Sequence, residues 1–145
     1  MRKGGWKRFR RLSRDEKKTL VQAWCLLPLV DLCLRAASFE SAKKALGVVV
    51  GKESSVRDLD VEPDRVSWLV EVASRRHLWP IRCLPRAMVL QGLLRRSGVD
   101  CSLQLGARRK GRGVAAHAWV EINGRPIGEA GNVEERFPPL SRTGA

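Results

Sequence analysis

The chain has 145 residues and a mass of 16.2 kDa, with 43% hydrophobic and 30% charged residues. That is enough for one domain with a core of its own, and it excludes both a second full domain and disorder throughout. Lys and Arg number 28 against 15 Asp and Glu, a formal net charge of +13, which favours an acidic partner such as nucleic acid, an anionic membrane or an acidic peptide and says nothing of fold.

Residues 1–14 carry Arg2, Lys3, Lys7, Arg8, Arg10, Arg11 and Arg14, with Trp6 among them and no acid. They read as a basic arm, either a solvated terminus or an electrostatic contact to an acidic partner or lipid headgroups. Ser13 and Glu16 then form an S-x-x-E capping box that opens a helix. Leu20, Val21, Trp24, Leu27 and Leu32 recur near helical spacing. Pro28 is expected to kink or break that helix, with a second piece over 29–37. The stretch is apolar on more than one face, so it packs between elements or meets a partner or membrane surface. Its uncharged run, residues 19–30, is too short for the roughly 20 residues a bilayer span needs. No small-residue cleavage site follows, and Asp31 and Arg35 interrupt the run, so it does not read as a signal peptide. The expectation is a cytoplasmic protein with reduced thiols, membrane-associated at most through peripheral contact.

A short helix is expected over 39–46, capped by Ser38 and stopped by Gly47, and residues 48–62 read as a loop. Pro63 opens the next helix, which runs to about Arg76 and completes a helical region over 15–78. The second half changes character. Residues 84–97 read as a helix with Pro85 in its first turn and Gly98 just past its end. Val99–Ala107 alternates apolar and polar residues like a half-buried strand. RRKGRG at 108–113 reads as a basic loop and Ala115–Ile122 as a second strand. Asn123-Gly124 is a hairpin turn and Arg125–Glu129 a third strand, with the tail from Ala130 following the surface. The predicted class is α+β: a helical N-terminal half, then a cysteine-bearing helix packed on a small antiparallel sheet.

Four cysteines occur, Cys25, Cys33, Cys83 and Cys101, with no C-x-x-C pair and only two histidines, which argues against a structural zinc. Cys83 precedes a helix, where its thiol meets free backbone N–H groups and the positive end of the macrodipole, an environment that favours thiolate. Arg82 and Arg86 add positive charge, and the Cys83 N–H is placed to stabilise an oxyanion. By itself such a cysteine passes for a small packed hydrophobe. His117 lies in the second strand, whose alternation puts His117, Trp119 and Glu121 on one face. A helix packed on that sheet permits a Cys83–His117 nucleophile–base pair. A third group orients the imidazole. Glu129 is the best candidate, because the hairpin folds the third strand back toward His117; Glu121, about 6–7 Å along the strand, is the rival. Each of these carboxylates, taken alone, is as well read as a surface charge.

The run Cys83-Leu84, Ala87, Leu90-Gln91 and Leu93–Gly98, then HAWVE at 117–121 and Gly124–Glu129, resembles the lasso-peptide biosynthesis leader peptidases. These belong to the transglutaminase-like, papain-related cysteine protease superfamily. The resemblance covers residues 79–137, which it marks as the protease core, with 138–145 as tail. It implies Cys83 as nucleophile, His117 as base and Glu129 as the orienting acid, where the family often carries Asp. It implies no metal or cofactor. Trp119 and Glu121 on the His117 face, and Arg108 and Arg109 before its strand, are the candidates for substrate binding. The family removes the leader of a ribosomally made precursor peptide before a separate cyclase closes a macrolactam ring. Residues 1–78 show no strand pattern like the winged-helix-like leader-recognition module fused in some members. The implied partners are therefore the precursor leader, a separate recognition protein and the lasso cyclase. Within the same fold an acyltransferase is the alternative. Of another class, a nucleic-acid-binding module has the charge in its favour but no recognisable motif.

Overall fold

The computed structural model describes residues 10–51 and 61–140, so the first part of the basic arm, most of the expected loop and the end of the tail lie outside the described residues. Among the described residues, five helices and one antiparallel sheet follow in the order α1 (Arg14–Ala36), α2 (Phe39–Val50), α3 (Pro63–Ser74), α4 (Cys83–Arg96), β1 (Ser102–Lys110), β2 (Gly113–Ile122), β3 (Arg125–Ile127) and α5 (Val133–Arg136). The sheet order is β1-β2-β3. The fold is α+β, as the sequence predicts.

The capping box forms as read: the Glu16 N–H donates to Ser13 Oγ (3.1 Å) and the Ser13 N–H to Glu16 Oε2 (2.9 Å). Glu16 Oε1 also accepts from Arg65 Nε at 2.6 Å, tying the start of α1 to α3. α1 runs through Pro28 without the break that was one of the two expected effects, so residues 29–36 continue the same helix. The carbonyl that Pro28 deprives of a donor belongs to Trp24, a half-exposed residue on the outer side of the helix. On the inner side Ala23, Leu27 and Val30 are fully buried, and each such Leu or Val contributes on the order of 1.5–3 kcal/mol. That anchoring outweighs one lost hydrogen bond. As a whole, α1 is long and apolar enough to cross a membrane by length and composition, although only 28% of its apolar window is buried in the fold.

Helix α2 is capped by Ser38 as predicted but passes Gly47 and runs to Val50, with Gly51 at φ +88° after its end. Val50 is buried, and its packing carries the helix one turn further than the glycine suggests. Pro63 opens α3 as predicted. Cys83 is the first residue of α4 rather than the residue before it, and Gly98, at φ +74°, follows its end. Val70 and Ala73 of α3, Val89 and Leu94 of α4, and Ala118, Val120 and Ile127 of the sheet share one core with α1 and α2. The helical half and the sheet half are therefore packed as one unit.

The basic loop expected at 108–113 is mostly strand. β1 and β2 stay paired out to Lys110↔Gly113, leaving Gly111 and Arg112 as the turn. Beyond the core the two-stranded ribbon is held by its backbone ladder, so Arg109 and Lys110 are exposed from strand positions. Asn123 and Gly124 form the predicted two-residue turn, both at positive φ. β3 stops at Ile127, short of the predicted Glu129. The tail does more than follow the surface: the Ala107 N–H donates to the Pro138 carbonyl (3.1 Å) and the Leu140 N–H to the Leu105 carbonyl (2.8 Å), closing the outer edge of β1. Gly106 makes this approach possible, since a Cβ there would run into the Phe137 carbonyl and the Trp119 ring.

Candidate active site

Strand alternation divides β2 as predicted. Ala118 and Val120 enter the core with α4, while His117 and Trp119 point to the other face. β3 pairs with β2 only over Val120–Ile122. Beside His117 the edge of β2 is therefore open, and a cavity of about 310 Å³ occupies that opening. Cys83, His117 and Glu129 all line it, joined by Ser67 of α3, Arg86 of α4 and Arg136 of α5.

Cys83 stands at the first position of α4, partly exposed. The helix has no side-chain cap, since Arg82 at the N-cap makes no such bond, so its first N–H groups are left for a ligand. The first intrahelical bond in this turn runs from the Arg86 N–H to the Arg82 carbonyl. No hydrogen bond joins Cys83 to His117 in this structure; the cavity brings them to one wall.

His117 Nε2 lies 2.9 Å from Glu129 Oε1. A carboxylate has only acceptor oxygens, so Nε2 carries the proton and Nδ1 is left as the basic nitrogen of the neutral ring. The imidazole is held between aromatic neighbours, with Trp119 at 6.0 Å and Phe137 at 5.1 Å between ring centroids. Glu129 is steadied from its other side, its Oε2 lying 3.6 Å from Arg136. Gly128, at φ +71°, brings Glu129 into place: a Cβ there would overlap Ser67 Oγ, so only glycine lets the end of β3 lie this close to α3.

The structure brings Cys83, His117 and Glu129 to one cavity and sends the rival carboxylate elsewhere. Glu121 is buried and accepts a 2.8 Å hydrogen bond from Trp119 Nε1. Trp119, also buried, borders the cavity, but its indole N–H is committed to Glu121. Arg108 lies over the Phe137 ring at 4.9 Å and so reaches the His117 face through that ring. Arg109 pairs with Val114 on the opposite face, exposed and away from the cavity. Sequence reasoning missed Arg136, Phe137 and Ser67. Phe137, the sole aromatic residue after Trp119 and followed by two prolines, was the available signal that the tail packs inward. Ser67 carried no signal of its own. No disulfide joins the four cysteines, and among the described residues no group of three or more His, Cys, Asp or Glu is placed to hold a metal.

A cysteine at a helix start, a strand histidine and a carboxylate thus line one cavity. A family model described as the transglutaminase-like superfamily matches residues 20–142, and the chain belongs to that superfamily. The match extends well before residue 79, taking in most of α1 and all of α2 and α3. Domains of this superfamily are typically cysteine-protease or acyltransferase enzymes. No curated protein and no solved structure matches the chain.

Proposed function

We propose that the chain is a cysteine endopeptidase that removes the leader from a lasso precursor peptide through a thioester. The observation that carries this reading is the Glu129–His117 pair facing the same cavity as Cys83 at the uncapped start of α4. Cys83 Sγ attacks the scissile carbonyl carbon, and the thiol proton passes to His117 Nδ1. The first-turn N–H groups of α4 receive the developing oxyanion. The C–N bond breaks as the amine leaves with that proton. Water, giving a proton to His117, then attacks the thioester carbon, and Cys83 departs as the thiol.

On this reading a separate protein presents the leader, because among the described residues no strand precedes Cys83 to capture a peptide by strand addition. The lasso cyclase takes the released core peptide. Contact of the outer face of α1 with an anionic bilayer belongs to the same proposal, resting on the exposed apolar residues of that face and the surrounding positive charge. The test is a lasso precursor incubated with the chain, with and without its recognition protein, and read by product mass. Leader acid plus free core is the expected product. A leader amide formed with an added amine would establish the acyltransferase instead. Precursor left intact with the recognition protein present, or cut equally fast by Cys83→Ala, overturns the reading.

A further inference from the structure

Asp31 lies on the inner side of α1 and is 1% exposed. Its Oδ2 accepts hydrogen bonds from Arg35 Nε (2.8 Å) and Trp79 Nε1 (3.2 Å). Its Oδ1 faces Arg82 Nε at 3.6 Å, too far for a hydrogen bond, and has no other partner. Arg35 is one turn away on the same helix. Trp79 and Arg82 come from a distant part of the chain, and they bracket Pro80 and the buried Ile81, the last link before α4. Arg82 is also the N-cap residue of α4, with Cys83 directly after it.

Burying a carboxylate carries a desolvation penalty that an apolar side chain of similar size avoids. What the carboxylate adds is direction: it holds two named side chains at fixed distances, one at each end of the link that delivers the nucleophile. The geometry points to Asp31 as a positioning residue. By gripping Trp79 and Arg82 from inside α1, it fixes the backbone that aims Cys83 Sγ and the Cys83 N–H into the cavity. This inference rests on the reading of Cys83 as nucleophile.

The test uses the full chain with p-nitrophenyl acetate, an acyl donor that needs no leader recognition, in a Cys25→Ser background because Cys25 is exposed. In the burst, the acetyl carbon bonds to Cys83 Sγ, p-nitrophenolate leaves, and the thiol proton goes to His117. Burst amplitude counts folded, competent chains, whereas the burst rate constant reports how well the reacting groups are aimed. Asp31→Asn and Arg82→Gln are each expected to slow the rate constant on the order of tenfold at unchanged amplitude. The double variant is expected to be no slower than the slower single, because both act through one contact. Arg82→Lys, which keeps the charge, recovers part of the rate. Wild-type rate constants in both single variants, or a lower amplitude at unchanged rate, overturn the proposal. A burst that persists in Cys83→Ala removes the nucleophile reading instead. If Asp31→Asn does not fold, Arg82→Gln decides alone, since that side chain is 58% exposed and is removed at little cost to the fold.

Discussion

Glu129 is shared between two partners, His117 through Oε1 and Arg136 through Oε2, and this division sets what each substitution does. His117→Ala removes the only base in the cavity with a free ring nitrogen, so activity is expected to fall as far as in Cys83→Ala. Glu129→Gln keeps an acceptor oxygen but loses the charge that stabilises the imidazolium. Cleavage is expected to drop on the order of a hundredfold or more while remaining above the Cys83→Ala background. Glu121→Gln reads out differently. Its partner is the buried Trp119 indole, so a lower melting temperature with nearly unchanged kcat is expected. Steady-state kinetics and thermal melts on the three variants check this assignment; a larger kcat loss in Glu121→Gln than in Glu129→Gln would exchange their roles. Arg108 belongs with these residues, because its guanidinium packs on Phe137 and Phe137 packs on His117. Arg108→Ala is therefore expected to lower kcat, whereas Arg109→Ala, on the other face, leaves it unchanged.

At the level of elements, the turn at the end of β3 decides whether the acid reaches the base. Gly128→Ala places a Cβ against Ser67 Oγ at a positive φ, so it is expected to destabilise the fold by on the order of 1 kcal/mol or more and to pull Glu129 off His117. Adding Ser67→Gly relieves the clash and is expected to restore part of the activity, though not the cost of the positive φ. No gain in the double variant would mean that Glu129 is placed by something other than this contact. The start of α1 carries a pH signature. The hydrogen bond from Arg65, with that from the Ser13 backbone, holds the Glu16 carboxyl below its ordinary value of 4.5. A carboxyl lowered in the folded state contributes stability that is present above its unfolded pKa and lost as pH falls through the folded value. Glu16→Gln keeps the capping box, so it is expected to lower the melting temperature modestly at pH 7, with the difference from wild type vanishing below the carboxyl's titration. A constant difference down to pH 2 would detach the effect from the Arg65 pair. These elements also show what was legible in the sequence. Ser13–Glu16, Pro63, Gly98 and Asn123-Gly124 were readable because their chemistry is contained within a few residues. Gly47 and Pro28 misled because buried Val50, Leu27 and Val30 carry their helices past them, a contribution made by distant neighbours. That Cys83, His117 and Glu129 meet at one cavity was legible because a helix start and a hairpin are local signals. Arg136, Ser67 and Asp31 were not, because each acts through a residue far along the chain.

Over the whole molecule, charge and apolar surface work at different ranges. The formal +13 gives a field that draws in acidic partners, and the ribbon cations Arg109, Lys110 and Arg112, exposed beyond the core, are expected to act on encounter. Neutralising them raises KM at low salt, with little effect at high salt, where screening acts within about 8 Å or less. The apolar surface has another use. On the outer side of α1, Val21, Trp24, Leu29 and Leu32 are exposed beside Leu78, which is 97% exposed, and Trp79. His77 stacks on Trp24 at 5.1 Å between ring centroids and draws the 77–79 segment to that helix. The result is a set of exposed apolar side chains along one side of a helix. A bilayer interface accepts such a face when it carries tryptophan and has cations beside it, here Arg14 and Lys18 near the start of α1. The chain is expected to co-sediment with vesicles of mixed phosphatidylglycerol and phosphatidylcholine and not with phosphatidylcholine alone. Leu32→Ser with Leu78→Ser is expected to weaken that binding by roughly tenfold or more, from the loss of two inserted side chains, while burst kinetics in solution stay unchanged. Binding to anionic vesicles that the double substitution leaves intact would assign the contact to charge alone. A wild-type chain that elutes as a dimer, and becomes a monomer in the double variant, would show instead that this face joins two copies of the chain.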